Sequence, residues 1–161
     1  MARAQLTLHE EGLIAAARSL ANQKGASAVV MLSERSYNFR EIQNGLGEHR
    51  LVVASDKEYV IETAKKDDVN FVPLLEEPET RQLQLISALL EAIADELIKS
   101  GDTVVALYAA YEHEVIDTLS VIDMSEHLTK LTSRDLRRLE TTVPLETLRL
   151  VVNLATDIGK E

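Results

Sequence analysis

The turn that follows the first predicted strand carries side chains that could bind an anion. Ser33, Arg35 and Ser36 place two hydroxyls and a guanidinium within four residues. Such groups, together with backbone amides at a helix start, recognise phosphate and carboxylate. Glu34 opposes an anion, and the glycines of a dinucleotide-binding motif or a P-loop are missing here and elsewhere in the sequence. The segment is therefore either an anion site without a standard motif or an ordinary polar turn.

A second candidate is the loop between the fourth and fifth predicted strands, which includes Tyr108 and His113. His113 stands between Glu112 and Glu114, where it could act as a general base or contribute to a metal site. Adjacent loop residues point in different directions and no second histidine has a ligand spacing, so we predict no metal site. The motifs Gly-x-Ser-x-Gly and His-Glu-x-x-His are absent, so no catalytic residue is assigned. The simpler interpretation of this loop is a solvated hairpin tip, and the weaker alternative is the active site of a small hydrolase or transferase. Asp117 is expected to be a hydrogen-bonded structural residue.

Charge and composition exclude several functional classes. The net charge is −10, and residues 57–129 hold sixteen acidic and five basic side chains, so we predict no binding of nucleic acid. No apolar run approaches the roughly 20 residues of a membrane helix. The first residues lack the apolar core of a signal peptide, and cysteine is absent. These features predict a cytoplasmic protein that does not contact a membrane.

Short apolar segments alternate with amphipathic ones, which is the pattern of buried strands in a sheet covered by helices. Strands are predicted at 27–33, 50–54, 69–74, 103–108 and 115–122, and helices at 6–24, 37–45, about 56–67 and 80–100. Thr7 and Glu10 have the spacing of a capping box at the start of the first helix. The predicted buried stripe of that helix includes Leu8 and Ala15, and Gly101 is predicted to end the fourth helix.

The connections between strands predict the topology. A helix separates each of the first four strands, so these strands are parallel with right-handed crossovers. Residues 109–114 are too few for a crossover helix, so the last two strands are antiparallel. Pro73 lacks a backbone donor and places the third strand at an edge. We therefore predict a three-layer α/β/α sandwich with a five-stranded sheet of order 3-2-1-4-5, whose carboxyl edge brings the two candidate sites together.

The pattern of residues in the last part of the chain predicts helices that must pack against another surface. Residues 133–139 form a short helix in this interpretation. Three arginines share one of its faces: Arg134, Arg137 and Arg138. They either contact an adjoining domain or subunit or form a solvated face. Pro144 opens a final helix with an apolar stripe that includes Leu148 and Val152, and an uncovered stripe of this kind predicts a homodimer or larger oligomer.

The order of elements over residues 6–122 resembles the carboxyl-terminal domain of pyruvate kinase. The segment similar to the Gly-Asp-x-Val-Val stretch of that domain is Lys99-Ser-Gly-Asp-Thr-Val-Val-Ala-Leu-Tyr108. The segment similar to its final strand is Ile116-Asp-Thr-Leu-Ser-Val-Ile122. This resemblance implies a pyruvate-kinase-like α/β domain over residues 1–123.

A second stretch, residues 119–161, resembles the connector ahead of the catalytic domain in DNA-integrity-scanning (DisA-type) diadenylate cyclases that carry such a domain in front. The similarity lies in Leu131-Thr-Ser-Arg-Asp-Leu-Arg-Arg-Leu-Glu-Thr-Thr-Val-Pro-Leu-Glu-Thr-Leu148 and in Leu154-Ala-Thr-Asp-Ile-Gly-Lys-Glu161. It implies that residues 124–161 are a helical connector. It also implies that the chain is the non-catalytic regulatory or assembly domain of an enzyme that makes cyclic di-AMP from ATP.

The catalytic motifs of that family, Asp-Gly-Ala and Arg-His-Arg, do not occur in the sequence. The resemblance therefore implies that ATP and a divalent metal bind only in a cyclase domain beyond these residues, and that this domain is the partner. No catalytic residue, metal or cofactor is expected within residues 1–161. The alternative is a stand-alone domain that binds a phosphorylated metabolite.

Overall fold

Helices and strands alternate along the chain up to β4, and β5 follows β4 directly, as predicted. The computed structural model describes residues 3–74, 80–111 and 115–129. In chain order the elements are α1 (Leu8–Lys24), β1 (Ala28–Leu32), α2 (Phe39–Gly45), β2 (Arg50–Ser55), α3 (Glu58–Lys66), β3 (Asn70–Pro73), α4 (Arg81–Ala94), β4 (Thr103–Tyr108), β5 (Thr118–Asp123) and α5 (Met124–Thr129). The predicted connector residues Arg134, Arg137, Arg138, Leu148 and Val152 lie outside the described residues.

The strands form one mixed sheet in the predicted order β3-β2-β1-β4-β5. β1 pairs in parallel with β2 and β4, β2 pairs in parallel with β3, and β4 pairs antiparallel with β5. Every residue of β1 is buried, as expected for a central strand covered on both faces. Pro73 lies in the edge strand β3, which confirms its predicted position.

Helices cover both faces of the sheet and produce the predicted three layers. α1, α2 and α3 pack against one face, which includes Met31 and Leu107. α4 packs against the opposite face, which includes Val30 and Val104. Because α4 crosses back over the sheet, the strand order reverses between β1 and β4, and open α/β sheets bind ligands at the carboxyl ends beside such a reversal. No helix in the described ranges is long and apolar enough to cross a membrane.

α4 ends six residues before its predicted end at residue 100. After Ala94 and the cap residue, Glu96 adopts a φ of 61°, and the N–H of Leu97 donates to the carbonyl oxygen of Ala92 at 2.9 Å. This geometry is a Schellman motif. The prediction is wrong because it relied on a glycine as the stop signal, whereas Glu96 occupies the left-handed position here and Gly101 comes later.

α1 buries a different stripe from the predicted one. Its buried residues are Glu10, Ile14, Ala17 and Ala21, whereas Leu8 is 87% exposed. The stripe has helical spacing, and its two alanines allow the helix to lie close to the sheet. The prediction missed it because a carboxylate occupies one of its positions, and carboxylates are rarely buried. The predicted capping box at the start of α1 is confirmed.

β5 begins at Thr118, three residues after the predicted start of this strand. The residue before it, Asp117, accepts hydrogen bonds from the N–H groups of Ala110 at 2.8 Å and Tyr111 at 3.2 Å. These bonds join Asp117 to the two residues near the end of β4, so Asp117 does not continue the strand. The predicted structural role of Asp117 is confirmed.

Candidate functional site

The loop between β1 and α2 lies at the carboxyl edge of the sheet, where the strand order reverses. α2 begins from this loop, and α1, which leads back into β1, begins at the same edge. The segment before α1 is also here, because the N–H of Ala4 donates to the carbonyl oxygen of Ser36 at 2.7 Å. Four chain segments therefore converge at this edge: the segment before α1, the loop, and the ends of β1 and β4.

Both serine hydroxyls predicted to bind an anion are buried and bonded within the protein. Ser33 Oγ donates to the carbonyl oxygen of Arg35 at 2.7 Å and accepts from its N–H at 3.3 Å. Ser36 Oγ donates to the carbonyl oxygen of Tyr59 at 3.3 Å and lies 2.9 Å from Thr63 Oγ1. Ser36 thereby connects the loop to α3, and an anion must replace these bonds in order to bind the hydroxyls.

The loop also contacts the helix on the other face of the sheet. Glu34 Oε1 lies 3.5 Å from Arg81 Nη2, and the two side chains are only 14% and 20% exposed. The carbonyl oxygen of Glu34 accepts a hydrogen bond from the Tyr59 hydroxyl at 2.7 Å. Because Arg81 opens α4 and Tyr59 lies on α3, a movement of this loop alters contacts on both faces.

Tyr37, in the loop between β1 and α2, forms a buried pair with Glu10 of α1, and each residue is 1% exposed. The Tyr37 hydroxyl donates to Glu10 Oε2 at 2.6 Å. Burial, followed by the hydrogen bond to Glu10 and its negative charge, raises the pKa of Tyr37 well above its ordinary value, and the positive charge of Arg35 opposes this rise. The phenol therefore remains a hydrogen-bond donor at neutral pH.

Glu10 connects three segments at this edge. Its Oε1 accepts a hydrogen bond from the N–H of Thr7 at 3.1 Å, and Oε2 accepts a second one from the N–H of Ile116 at 3.3 Å. Ile116 lies between β4 and β5, so one carboxylate links the start of α1, the loop before α2 and the approach to β5. The sequence interpretation assigned Glu10 only to the capping box. Its helical alignment with Ile14 and Ala17 is the signal that could have revealed a buried carboxylate.

A cleft of about 440 Å³ opens beside these segments. Its lining residues are Arg3, Ala4, Gln5, Leu6, Glu11, Asn38 and Glu41. The positive charge of Arg3 is compensated, because its Nη2 donates to Asp67 Oδ1 at 2.6 Å and this contact lowers the pKa of Asp67. With Glu11 and Glu41 in its walls, the cleft disfavours an anion.

The other predicted ligand residues are not brought to the same turn. Tyr108 ends β4 but packs on the face covered by α4, where its hydroxyl lies 2.8 Å from Ser120 Oγ. Ser36 bonds to α3 on the opposite face. His113 lies outside the described residues. The sheet therefore separates Tyr108 from the serine hydroxyl with which it was grouped.

Within the described ranges, no group of three histidine, aspartate or glutamate side chains is placed to hold a metal ion. His49 illustrates a structural use of such a side chain. Its Nε2 lies 2.6 Å from Asn22 Oδ1 and its Nδ1 lies 3.2 Å from the carbonyl oxygen of Ala26. At the carboxyl edge, the described side chains offer hydrogen bonds and charge to a ligand.

A comparison with protein families gives one match over most of the chain. Residues 9–132 match the family model described as "Probable sensor domain DacZ_P". No curated protein matches the sequence.

Two solved structures of pyruvate kinase from Cryptosporidium parvum share the fold. They align with TM-scores of 0.60 and 0.58, at 16% and 17% sequence identity, over 74% and 75% of this chain. The chain spans 23% of the length of each of them. The predicted likeness to a domain of pyruvate kinase is thereby confirmed for the fold, and identities this low carry no statement about activity.

Proposed function

The chain belongs to the DacZ_P family of probable sensor domains, and from this membership we propose that it is the regulatory domain of a diadenylate cyclase. The domain binds a small anionic effector and adjusts the activity of a cyclase domain in the same polypeptide. That cyclase domain binds ATP and a divalent metal and makes cyclic di-AMP, whereas residues 1–161 supply neither a catalytic residue nor a cofactor. The family match over residues 9–132 carries the proposal.

The turn after β1 is the effector site that the geometry supports best. It lies where the strand order reverses, and the half-buried Arg35 stands between Ser33 and Ser36 in the sequence, so its positive charge belongs to the same turn as the two hydroxyls. Both hydroxyls donate to backbone carbonyl oxygens of the protein, so effector binding exchanges those bonds for bonds to the effector. The preferred conformation of the turn then depends on whether the effector is bound, as a sensor requires.

A continuous set of contacts leads from this turn toward the connector. Tyr37 follows the turn and bonds Glu10, and Glu10 bonds the backbone of Ile116. Ile116 lies two residues before β5, and β5 continues directly into α5. A shift of the turn is therefore passed through one buried carboxylate to β5 and α5, and α5 begins the connector of residues 124–161 that leads to the cyclase domain in this proposal.

Effector binding can be measured on the 161-residue chain by thermal unfolding with inorganic phosphate and then with a panel of phosphate monoesters. We expect at least one of these compounds to raise the unfolding midpoint. Arg35→Ala should weaken its binding about tenfold or more, because one charge-assisted contact is lost. Arg18→Ala, at an exposed arginine on α1, is the matched control and should bind like the parent chain. No stabilisation by any compound, or equal weakening in both variants, contradicts an effector site at this turn.

The cyclase assignment is tested by the reading frame and by deletion. Asp-Gly-Ala and Arg-His-Arg motifs are expected beyond Glu161. In the natural polypeptide, removal of residues 1–123 should leave synthesis of cyclic di-AMP from ATP intact and abolish its response to the effector. A reading frame that ends at Glu161 contradicts the proposal and favours a stand-alone domain that binds a phosphorylated metabolite.

A further inference from the structure

We propose that the outer edge of β5 pairs with β5 of a second copy of this chain, antiparallel about a two-fold axis at Val121. This interface goes beyond the proposed regulatory function, since it requires neither an effector nor a cyclase domain. It also differs from the predicted contact through the final helix, because it lies entirely within described residues. Its occupant is a second copy of the chain because the edge is complementary to itself.

The hydrogen-bonding pattern of β5 identifies the groups available at its outer edge. The N–H of Met124 donates to the carbonyl oxygen of Asp102 at 2.9 Å, and the register with β4 continues without interruption over all six residues of β5. Antiparallel strands exchange hydrogen bonds at alternate positions, so Ser120 and Ile122 direct their backbone groups toward β4. Three residues direct their N–H and C=O groups outward: Leu119, Val121 and Asp123.

β5 lacks most of the features that normally protect a sheet edge, and its only charged residue is Asp123, at its end. The strand Thr118–Asp123 contains no proline, lysine or arginine and pairs with β4 without a bulge. The opposite edge strand, Asn70–Pro73, is shorter and carries a proline. An unprotected edge is a template for another strand. In the part of the chain that the structure describes, no segment pairs with this side of β5.

Two registers, with axes at Ser120 and at Val121, each pair five residues of β5 with the second copy, and the charges along the strand favour one of them. A two-fold axis at Val121 places Val121 opposite Val121 of the second copy and Asp123 opposite Leu119. An axis at Ser120 would instead place Asp123 opposite Asp117, and like charges directly opposite one another destabilise a strand pair. The register centred on Val121 avoids this repulsion, and its two-fold symmetry closes the assembly at a dimer.

Val121 also supplies apolar surface at the axis. Its side chain is 40% exposed, and it shares a strand face with Leu119, which packs partly against the core beneath α1. In the paired arrangement the two Val121 residues are hydrogen-bonded neighbours with Cα atoms about 5.5 Å apart. Each valine then covers the exposed surface of the other.

The absence of cysteine from the chain permits a direct test by cross-linking. Val121→Cys places one thiol from each copy beside the axis, where a Cα separation of about 5.5 Å suits a disulfide. Oxidation with diamide should convert most of this variant into a covalent dimer on a non-reducing gel. Asn70→Cys, exposed on β3 at the opposite edge, is the matched control and should remain a single chain.

Sedimentation of the 161-residue chain provides a second readout that needs no oxidant. The parent should sediment as a dimer, and Val121→Lys should sediment as a monomer with the far-ultraviolet circular dichroism of the parent. A parent chain that sediments only as a 17.9 kDa species overturns the proposal. A dimer that persists in Val121→Lys, with no cross-link in the Val121→Cys variant, also overturns it and assigns dimerisation to another surface.

Discussion

Glu10 stabilises the carboxyl edge of the sheet because its two oxygens serve different segments. Oε1 completes the capping box with Thr7, while Oε2 accepts hydrogen bonds from the Tyr37 hydroxyl and the N–H of Ile116. A buried carboxylate destabilises a fold unless its oxygens have donors. Three donors satisfy this one, so the residue holds α1, the loop before α2 and the approach to β5 together.

Tyr37→Phe is expected to lower the free energy of unfolding by about 1–3 kcal/mol, because it removes a donor from a buried carboxylate and retains the ring. Thermal unfolding followed by circular dichroism measures this loss, at roughly 2–4 °C per kcal/mol for a domain of this size. Tyr59→Phe is the control. The Tyr59 hydroxyl also donates a hydrogen bond, to the carbonyl oxygen of Glu34. Because Tyr59 is 37% exposed, its substitution should lower the free energy of unfolding by only about 0.5 kcal/mol. Equal losses of stability in the two variants would show that the buried hydrogen bond from Tyr37 to Glu10 contributes no more than the exposed one from Tyr59.

Asp67 makes the stability of the fold depend on pH in the acidic range. Its carboxylate binds Arg3 and accepts the N–H of Phe39 at 2.8 Å, and the bond from Arg3 is the main reason that the pKa of Asp67 lies below its ordinary value. A carboxylate whose pKa is lowered by folding stabilises the fold above its ordinary pKa of about 3.9 and loses that effect as the pH falls through the folded-state value.

Asp67→Asn should therefore reduce stability at neutral pH by about 1–2 kcal/mol and flatten the decline of stability below about pH 4. Urea unfolding midpoints across this pH range measure both effects. Asp68→Asn is the control, because that side chain is fully exposed and lies 3.7 Å from Arg40 Nη2. If the two variants give the same pH profile, Asp67 does not carry the acid dependence.

At the scale of the elements, three helices end with the same backbone geometry although only one of them has a glycine there. Gly25, Asp68 and Glu96 have φ values of 66°, 54° and 61° after α1, α3 and α4. In each case the next N–H bonds a carbonyl oxygen five positions back, at 2.9–3.1 Å. An apolar residue follows each left-handed position and packs against the core, so tertiary packing decides where the helix ends.

Glu96→Gly is expected to raise the free energy of unfolding by about 0.5 kcal/mol. Glycine adopts the left-handed conformation without the Cβ contact that costs other residues about 1–2 kcal/mol, and its greater freedom in the unfolded chain offsets part of this gain. Denaturant unfolding measures the change. Asp68→Gly should gain less, because aspartate tolerates this conformation better than glutamate. A loss of stability at Glu96 would indicate that its side chain makes a contribution larger than the backbone strain.

At the scale of the whole molecule, recognition and catalysis are predicted to be separate. Nucleotidyl transfer gathers metal-binding carboxylates and cationic donors around one triphosphate. The described residues contain no such cluster of potential metal ligands. The sequence also lacks a glycine-rich phosphate loop, and its middle segment is strongly acidic. The proposed regulatory role therefore predicts that ATP is activated outside residues 1–161.

We therefore expect no cyclic di-AMP when the 161-residue chain is incubated with labelled ATP and either Mg²⁺ or Mn²⁺. Chromatographic separation of the labelled products provides the measurement, and a reaction without protein sets the background. Product above that background that is abolished by a point substitution within residues 1–161 would place an active site in this chain and contradict its assignment as a regulatory domain.

Local patterns in the sequence determined the types, the order and the topology of the elements. The apolar run of β1, the short connection at residues 109–114 and the proline in β3 each constrain one strand. Combined with the right-handed crossover rule, they specify the observed strand order. The same reasoning placed the Ser33–Arg35–Ser36 turn at the carboxyl edge, because a turn that follows a parallel strand must lie there.

Only the tertiary structure decided which side chains meet at that edge. Glu10 bonds the backbone of Ile116 across 106 residues, and Ser36 bonds α3 across 23 residues, so neither contact has a local signature. Tyr108 lies on the face opposite Ser36 because strand side chains alternate between the two faces of the sheet. A shift of one residue in the register of β4 would turn the Tyr108 side chain to the other face. Local propensities specify segments, whereas the partners of a side chain depend on how distant segments are packed and registered against one another.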